Sequence, residues 1–169
     1  MLEDWIYDPR VLALFQQVCS TCKALPAALL AKAESARHFA KGIFYARQHL
    51  YASYDLALYS KDAPEPMALW SRMEAQTPLG FVPGSMLPAG FSHVATNYAA
   101  GYYSYLWSLV LAEDMRTGFG ADKLDAAVGK RYRETVLANG GQVAPGELVQ
   151  QFLGRPTDSR AFFTSLNRQ

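Results

Sequence analysis

Between Phe91 and Ser108 the chain reads FSHVATNYAAGYYSYLWS, and the side chains in it that could do chemistry are His93, Tyr98, Tyr102 and Tyr105. On a helix turning about 100° per residue, positions 98, 102 and 105 stand at i, i+4 and i+7 and share one face, while Tyr103 and Trp107 share another. A phenol donates a hydrogen bond and stays neutral near pH 7, so such a row suits a peptide carbonyl or the oxyanion formed when one is attacked. The same spacing also describes aromatic core, each buried hydroxyl satisfied by one partner. His93 precedes the row in a stretch with no period, and a loop lets its imidazole reach the same pocket.

Other chemistry is sparse. His38 and His49 would share a helix face, but three turns, roughly 16 Å, separate them, too far for one metal ion. Cys19 and Cys22 form a CxxC pair without the further ligands of a zinc site or the strand context of a redox motif, and are expected as thiols near a helix end. No HExxH, GxSxG, Walker loop or glycine-rich nucleotide fingerprint occurs. Glu3, Asp4, Asp55, Glu113 and Asp114 read as caps, surface charges or ion-pair members. No metal site is expected in this chain.

The elements that must position the tyrosines are helices. Asp8-Pro9 opens one to about Val18, and Pro26 opens a run of helical periodicity to about Ser60 that reads either as two helices divided near Ala36 to Gly42 or as one bent helix. Pro64 and Pro66 open another, which ends before Pro78. From Thr77 to Asn97 prolines and glycines leave no period, and this long loop delivers the chain to a helix predicted from Tyr98 to Arg116. Further helices are predicted from Asp122 to Ala138, stopped by Asn139-Gly140-Gly141, from Pro145 to Phe152, and from a cap at Thr157 or Asp158 onward. The expected fold class is all-α, a single helical domain over residues 1–169 with about seven or eight helices.

Sixteen basic and fifteen acidic side chains give a formal charge of +1, which names neither nucleic acid nor an anionic membrane as a partner. Charged residues interrupt every apolar run before about 18 residues, so no membrane span is expected. The start, MLEDWIYDPR, lacks the basic and apolar regions of a signal peptide. The expected location is cytoplasmic.

Several segments carry a resemblance. FSHVATNYAAGYYSYLWSLVLAEDM, GKRYRETVLANGG, PGELVQQFLGRP and the terminal SRAFF resemble the carboxy-terminal part of the M3 family of zinc oligopeptidases. MLEDWIYDPRVLALF resembles the stretch beyond the family's third zinc ligand, and FAKGIFYARQHLYASYDLALYS its arginine-glutamine helix. The motifs fall in the family's order over nearly the whole chain. The resemblance implies part of an all-α peptidase that hydrolyses short peptides. It implies that the HExxH histidines, the glutamate that activates the zinc-bound water and the third ligand all lie before Met1. Zinc would thus belong to the complete family enzyme, and none is expected on this chain. By resemblance, Tyr98 and Tyr105 are the oxyanion donors, while His93 and Tyr102 position the substrate backbone. Tyr103 and Trp107 are expected to pack as core.

The resemblance leaves three arrangements open. The chain is the inactive carboxy-terminal portion of such a peptidase, or a stand-alone peptide-binding or regulatory module derived from one, or one half of a split enzyme. In the last case an HExxH-bearing amino-terminal portion acts in trans. The first two leave short peptides as the partner, and the first implies an exposed apolar patch. One departure stands out: Thr96-Asn97 replaces a glycine pair that many family members carry before the first tyrosine. The loop should be stiffer for it, with Asn97 tolerating the left-handed conformation that a turn there needs.

Overall fold

Prolines and short acidic or polar caps set the helix starts in the computed structural model, which describes residues 2–62 and 64–167. Among the described residues there are nine α-helices and no strand. Helix α1 (Pro9–Val18) begins with proline at its first turn, where the missing N–H costs nothing, and the Asp8 carboxylate accepts the Arg10 N–H at 2.9 Å. Helices α2 (Ala27–Ala36) and α3 (Lys41–Leu58) divide the long periodic run inside the predicted window, and Ala40 makes the break in the left-handed region at φ 54°. Helix α4 (Pro66–Ala75) is capped by Glu65, whose carboxylate accepts the N–H groups of Met67 and Ala68. The loop that follows contains one short helix, α5 (Leu87–Gly90), and a 3-10 turn at Ser92–Ala95.

Helix α6 spans Ser104–Arg116, so it starts six residues later than the periodicity predicts. The helix predicted from Asp122 is likewise shorter. Asp122 spends its carboxylate on the Leu124 N–H, and Asp125 then caps α7 (Ala126–Tyr132) by accepting from Ala127 and Val128. A π-helical turn at Arg133–Leu137 continues α7, α8 covers Pro145–Leu153 with Gly154 left-handed at its end, and α9 covers Arg160–Leu166.

Two compact units make up the described chain, one of Ala40–Ser108 and one of the residues up to Phe39 with those from Leu109 onward. The first is built on α3 and α4: Leu50, Tyr54, Leu69, Trp70 and Val94 are buried together, with Tyr51, Phe81, Leu87 and Phe91 packed against them. The second buries Met115, Phe119, Tyr132, Val149 and Phe152. In it the Asp4 carboxylate joins Arg37 and Arg116, at 2.6 and 2.5 Å. Asp114, fully buried, accepts from Arg155, Thr157 and the Asp158 N–H.

The cysteines depart from expectation. A turn in which the Cys22 N–H donates to the Cys19 carbonyl brings their Cα atoms to 5.3 Å, and the pair is a disulfide instead of two thiols. Among the described residues no helix is long and apolar enough to cross a membrane.

Candidate functional site

The segment before α6 is not helical, and two of its backbone amides are taken by the Asp55 carboxylate. Asp55 lies on α3 with no exposed surface, and its two oxygens accept the N–H groups of Ala100 and Tyr102, each at 3.0 Å. Between those two donors the chain makes a left-handed step at Ala100, φ 57°. Gly101 follows, where an added Cβ would stand 3.0 Å from the Tyr98 carbonyl oxygen. A regular helix through residues 98–103 would aim the Tyr102 amide at the Tyr98 carbonyl and leave the Ala100 amide among the unpaired donors of its first turn. The helix predicted over Tyr98 to Tyr103 is therefore corrected to a turn.

The turn nevertheless brings the predicted side chains together. The Tyr102 and Tyr105 rings lie 4.9 Å apart and those of Tyr98 and Tyr105 5.4 Å apart, while His93 meets Tyr98, Tyr102 and Tyr105 at 6.0, 5.3 and 5.9 Å between centroids. Tyr105 Oη stands 3.3 Å from His93 Nε2, and Tyr98 Oη stands 2.5 Å from Ser104 Oγ. Tyr98 and Tyr105 are open to solvent, at 37% and 47% exposure, whereas His93 and Tyr102 are half-buried. The Tyr102 hydroxyl donates to Gln48 Oε1 at 3.1 Å. Burial, with Tyr51 alongside, pushes its phenol above the usual range, against a smaller opposite pull from Gln48, so it remains a neutral donor at physiological pH.

Two further expectations change. Tyr103 and Trp107 are not core: they are 49% and 64% exposed, and the buried residues of α6, Glu113, Asp114 and Met115, all come from its end. Asn97 does not supply the left-handed residue of the turn, since Ala40 and Ala100 are the non-glycine residues of positive φ among those described. Thr96 is extended at φ −121°.

Sequence reasoning singled out the four residues that cluster here, His93, Tyr98, Tyr102 and Tyr105, but missed their support. Gln48 holds the Tyr102 hydroxyl, the Tyr51 ring packs on Phe91 and Tyr102, Asp55 holds two amides, and the Tyr59 hydroxyl donates to the Val94 carbonyl. Their positions fall within roughly 80° of one another around α3. That spacing, polar and aromatic where an apolar stripe is usual, was the available signal.

Among the described residues no three His, Cys, Asp or Glu side chains are grouped to hold a metal ion. The cluster itself offers three phenols and one imidazole. It is a donor set for an oxygen, and it does not fit a zinc ligand set.

Residues 1–168 match Peptidase family M3. Similar curated proteins include Oligopeptidase A of Salmonella typhimurium, 33% identical, with 91% of this chain aligned to 24% of that protein. Organellar oligopeptidase A, chloroplastic/mitochondrial, of Arabidopsis thaliana is 36% identical over 91% of this chain and 21% of its own length. The Probable cytosolic oligopeptidase A of the same plant is 33% identical over 91% and 24%. The chain thus spans about a quarter of the length of these relatives.

Proposed function

This chain belongs to peptidase family M3, and we propose that it forms the substrate-facing, transition-state-stabilising part of an oligopeptidase acting on short peptides. The convergence of three phenols and one imidazole on a half-open surface carries this reading. Tyr98 and Tyr105 are the donors to a peptide carbonyl oxygen as negative charge develops on it. Both hydroxyls are accessible and rest on partners, Ser104 and His93, that can reorient when a stronger acceptor arrives. His93 and Tyr102 orient the backbone of the bound peptide, Tyr102 being held from behind by Gln48.

The attacking water needs a base and an electrophile that this cluster does not contain. An HExxH-bearing portion, joined in cis or supplied in trans, would supply both, its glutamate as the base and its bound zinc as the electrophile. The cytoplasm is the proposed location, as in the relative named cytosolic. There the Cys19–Cys22 bond meets a reducing pool and is expected largely as dithiol.

The test is a chimera in which this chain replaces the matching quarter of Salmonella Oligopeptidase A, assayed with an internally quenched short peptide. Zinc-dependent turnover is expected. Tyr98→Phe and Tyr105→Phe should each lower kcat about 10²–10³-fold with a smaller change in KM. His93→Ala and Tyr102→Phe should act more on KM. A folded, turning-over chimera in which both phenylalanine variants work at the full rate would remove the donor assignment.

A further inference from the structure

The tyrosines converge although they do not share a helix, so something other than helical phase sets their geometry. Four attachments come from α3 and its C-cap residue Tyr59. Gln48 takes the Tyr102 hydroxyl, Tyr51 packs at 5.7 Å on Tyr102 and 5.0 Å on Phe91, Asp55 takes the Ala100 and Tyr102 amides, and Tyr59 donates to the Val94 carbonyl. Asp55 differs from the others in kind. It is charged, wholly buried, and bonded through both oxygens to amides two residues apart. Such an arrangement offsets the desolvation of a carboxylate only while both amides point at it.

We propose that Asp55 is a positioning residue for the tyrosine donors. Resting on the donor reading of Tyr98 and Tyr105, the assignment is that this carboxylate imposes the left-handed step at Ala100. That step turns Tyr98 toward the first turn of α6. A left-handed alanine is disfavoured by about 5- to 30-fold, which is the bias against the turn. The two charge-assisted hydrogen bonds supply the opposing bias. Without them the segment would revert to the helix that its periodicity favours, extending α6 backward. Tyr98 would then leave Ser104, and the amides of Ala100 and Tyr102 would turn away from α3. Asp55 touches no substrate in this account; it acts through the backbone.

Asp55→Asn tests it, because the side-chain amide keeps one acceptor and presents a donor to the second N–H. Ala100→Gly tests it independently, because glycine takes φ near +57° without the steric cost. On this chain, NMR should show the Ala100 and Tyr102 amides protected from exchange, with ring contacts between Tyr98 and Tyr105. In Asp55→Asn, protection at those two amides should fall about tenfold or more and the ring contacts should weaken. Contacts between Tyr54 and Trp70 should persist, showing that the unit remains folded. Adding Ala100→Gly to Asp55→Asn should restore the ring contacts, which general destabilisation by a buried asparagine would not allow.

In the chimera, Asp55→Asn should lower kcat about tenfold or more with KM nearly constant, and Ala100→Gly should recover much of that loss. Unchanged amides and ring contacts in Asp55→Asn would overturn the proposal, as would failure of Ala100→Gly to rescue them. If Asp55→Asn leaves kcat intact where Tyr105→Phe lowers it, positioning by Asp55 is refuted and the donor reading stands. If Tyr98→Phe and Tyr105→Phe are both silent, the donor reading has failed, and the amide and ring contacts decide the role of Asp55 alone.

Discussion

At the scale of single residues, buried carboxylates in this chain are organisers of backbone. Asp114 illustrates the energetics outside the candidate site. Burial opposes its ionisation, but the Arg155 guanidinium at 2.6 Å, the Asp158 amide and the Thr157 hydroxyl outweigh that and hold its carboxyl below the usual range. The folded chain therefore binds fewer protons at this group than the unfolded chain does. Its stabilisation is complete above the unfolded carboxylate value of about pH 4 and is lost as pH falls through the lower folded value. Asp114→Asn should cost about 2–3 kcal/mol at pH 7. In urea melts taken at decreasing pH, the gap between variant and wild type should close below about pH 4. A gap independent of pH would mean that the carboxylate's charge contributes nothing.

At the scale of elements, close packing decides what the turns tolerate. Gly118 sits in the 3-10 turn Thr117–Phe119, and a Cβ there would stand 2.9 Å from Phe152 Cε1 and 3.3 Å from Leu153 Cδ2. Phe152 is 1% exposed and has nowhere to retreat, so Gly118→Ala should destabilise by about 1–3 kcal/mol, measured by thermal or urea unfolding. A neutral result would show that the α8 end shifts freely. Most helices were legible because proline starts and carboxylate caps are local signals: Asp8-Pro9, Glu65-Pro66 and Pro145 each mark a start within a residue or two. The start of α6 was not. Residues 98–103 carry helical periodicity, and what overrides it is a carboxylate some forty-five residues earlier. The four site residues were legible by type and spacing, although the helix phase that grouped them was the wrong reason. Pairing of Cys19 with Cys22 was missed because a CxxC pair reads equally as thiols until the turn between them is known.

At the scale of the whole molecule, the described surface is rich in large apolar side chains. Phe39 and Val18 are 86% and 84% exposed, and Trp107 is 64% exposed. Groups of that size left in water promote association. The purified chain is expected to self-associate with rising concentration in sedimentation velocity. The double variant Phe39→Ser, Trp107→Ser should weaken that association about tenfold or more. A concentration-independent monomer would show that these side chains are tolerated singly.

The attachment of the tyrosine segment to α3 can be viewed as measurement against a ruler. Gln48 lies on the 18-residue helix α3 and Tyr59 caps its C-terminal end, eleven residues and about 16 Å of rise further along, and the segment from Phe91 to Tyr105 is fastened between those marks. Spacing among the donors is then a property of the rod more than of the loop. Sequence drift at the loop's exposed positions, such as Thr96 and Asn97, alters how quickly the segment moves and leaves its graduation intact. One residue inserted in α3 between Tyr51 and Asp55 would rotate the later marks by about 100° and make the scale unreadable. Such a rod confines variation to the loop and forbids it within the helix.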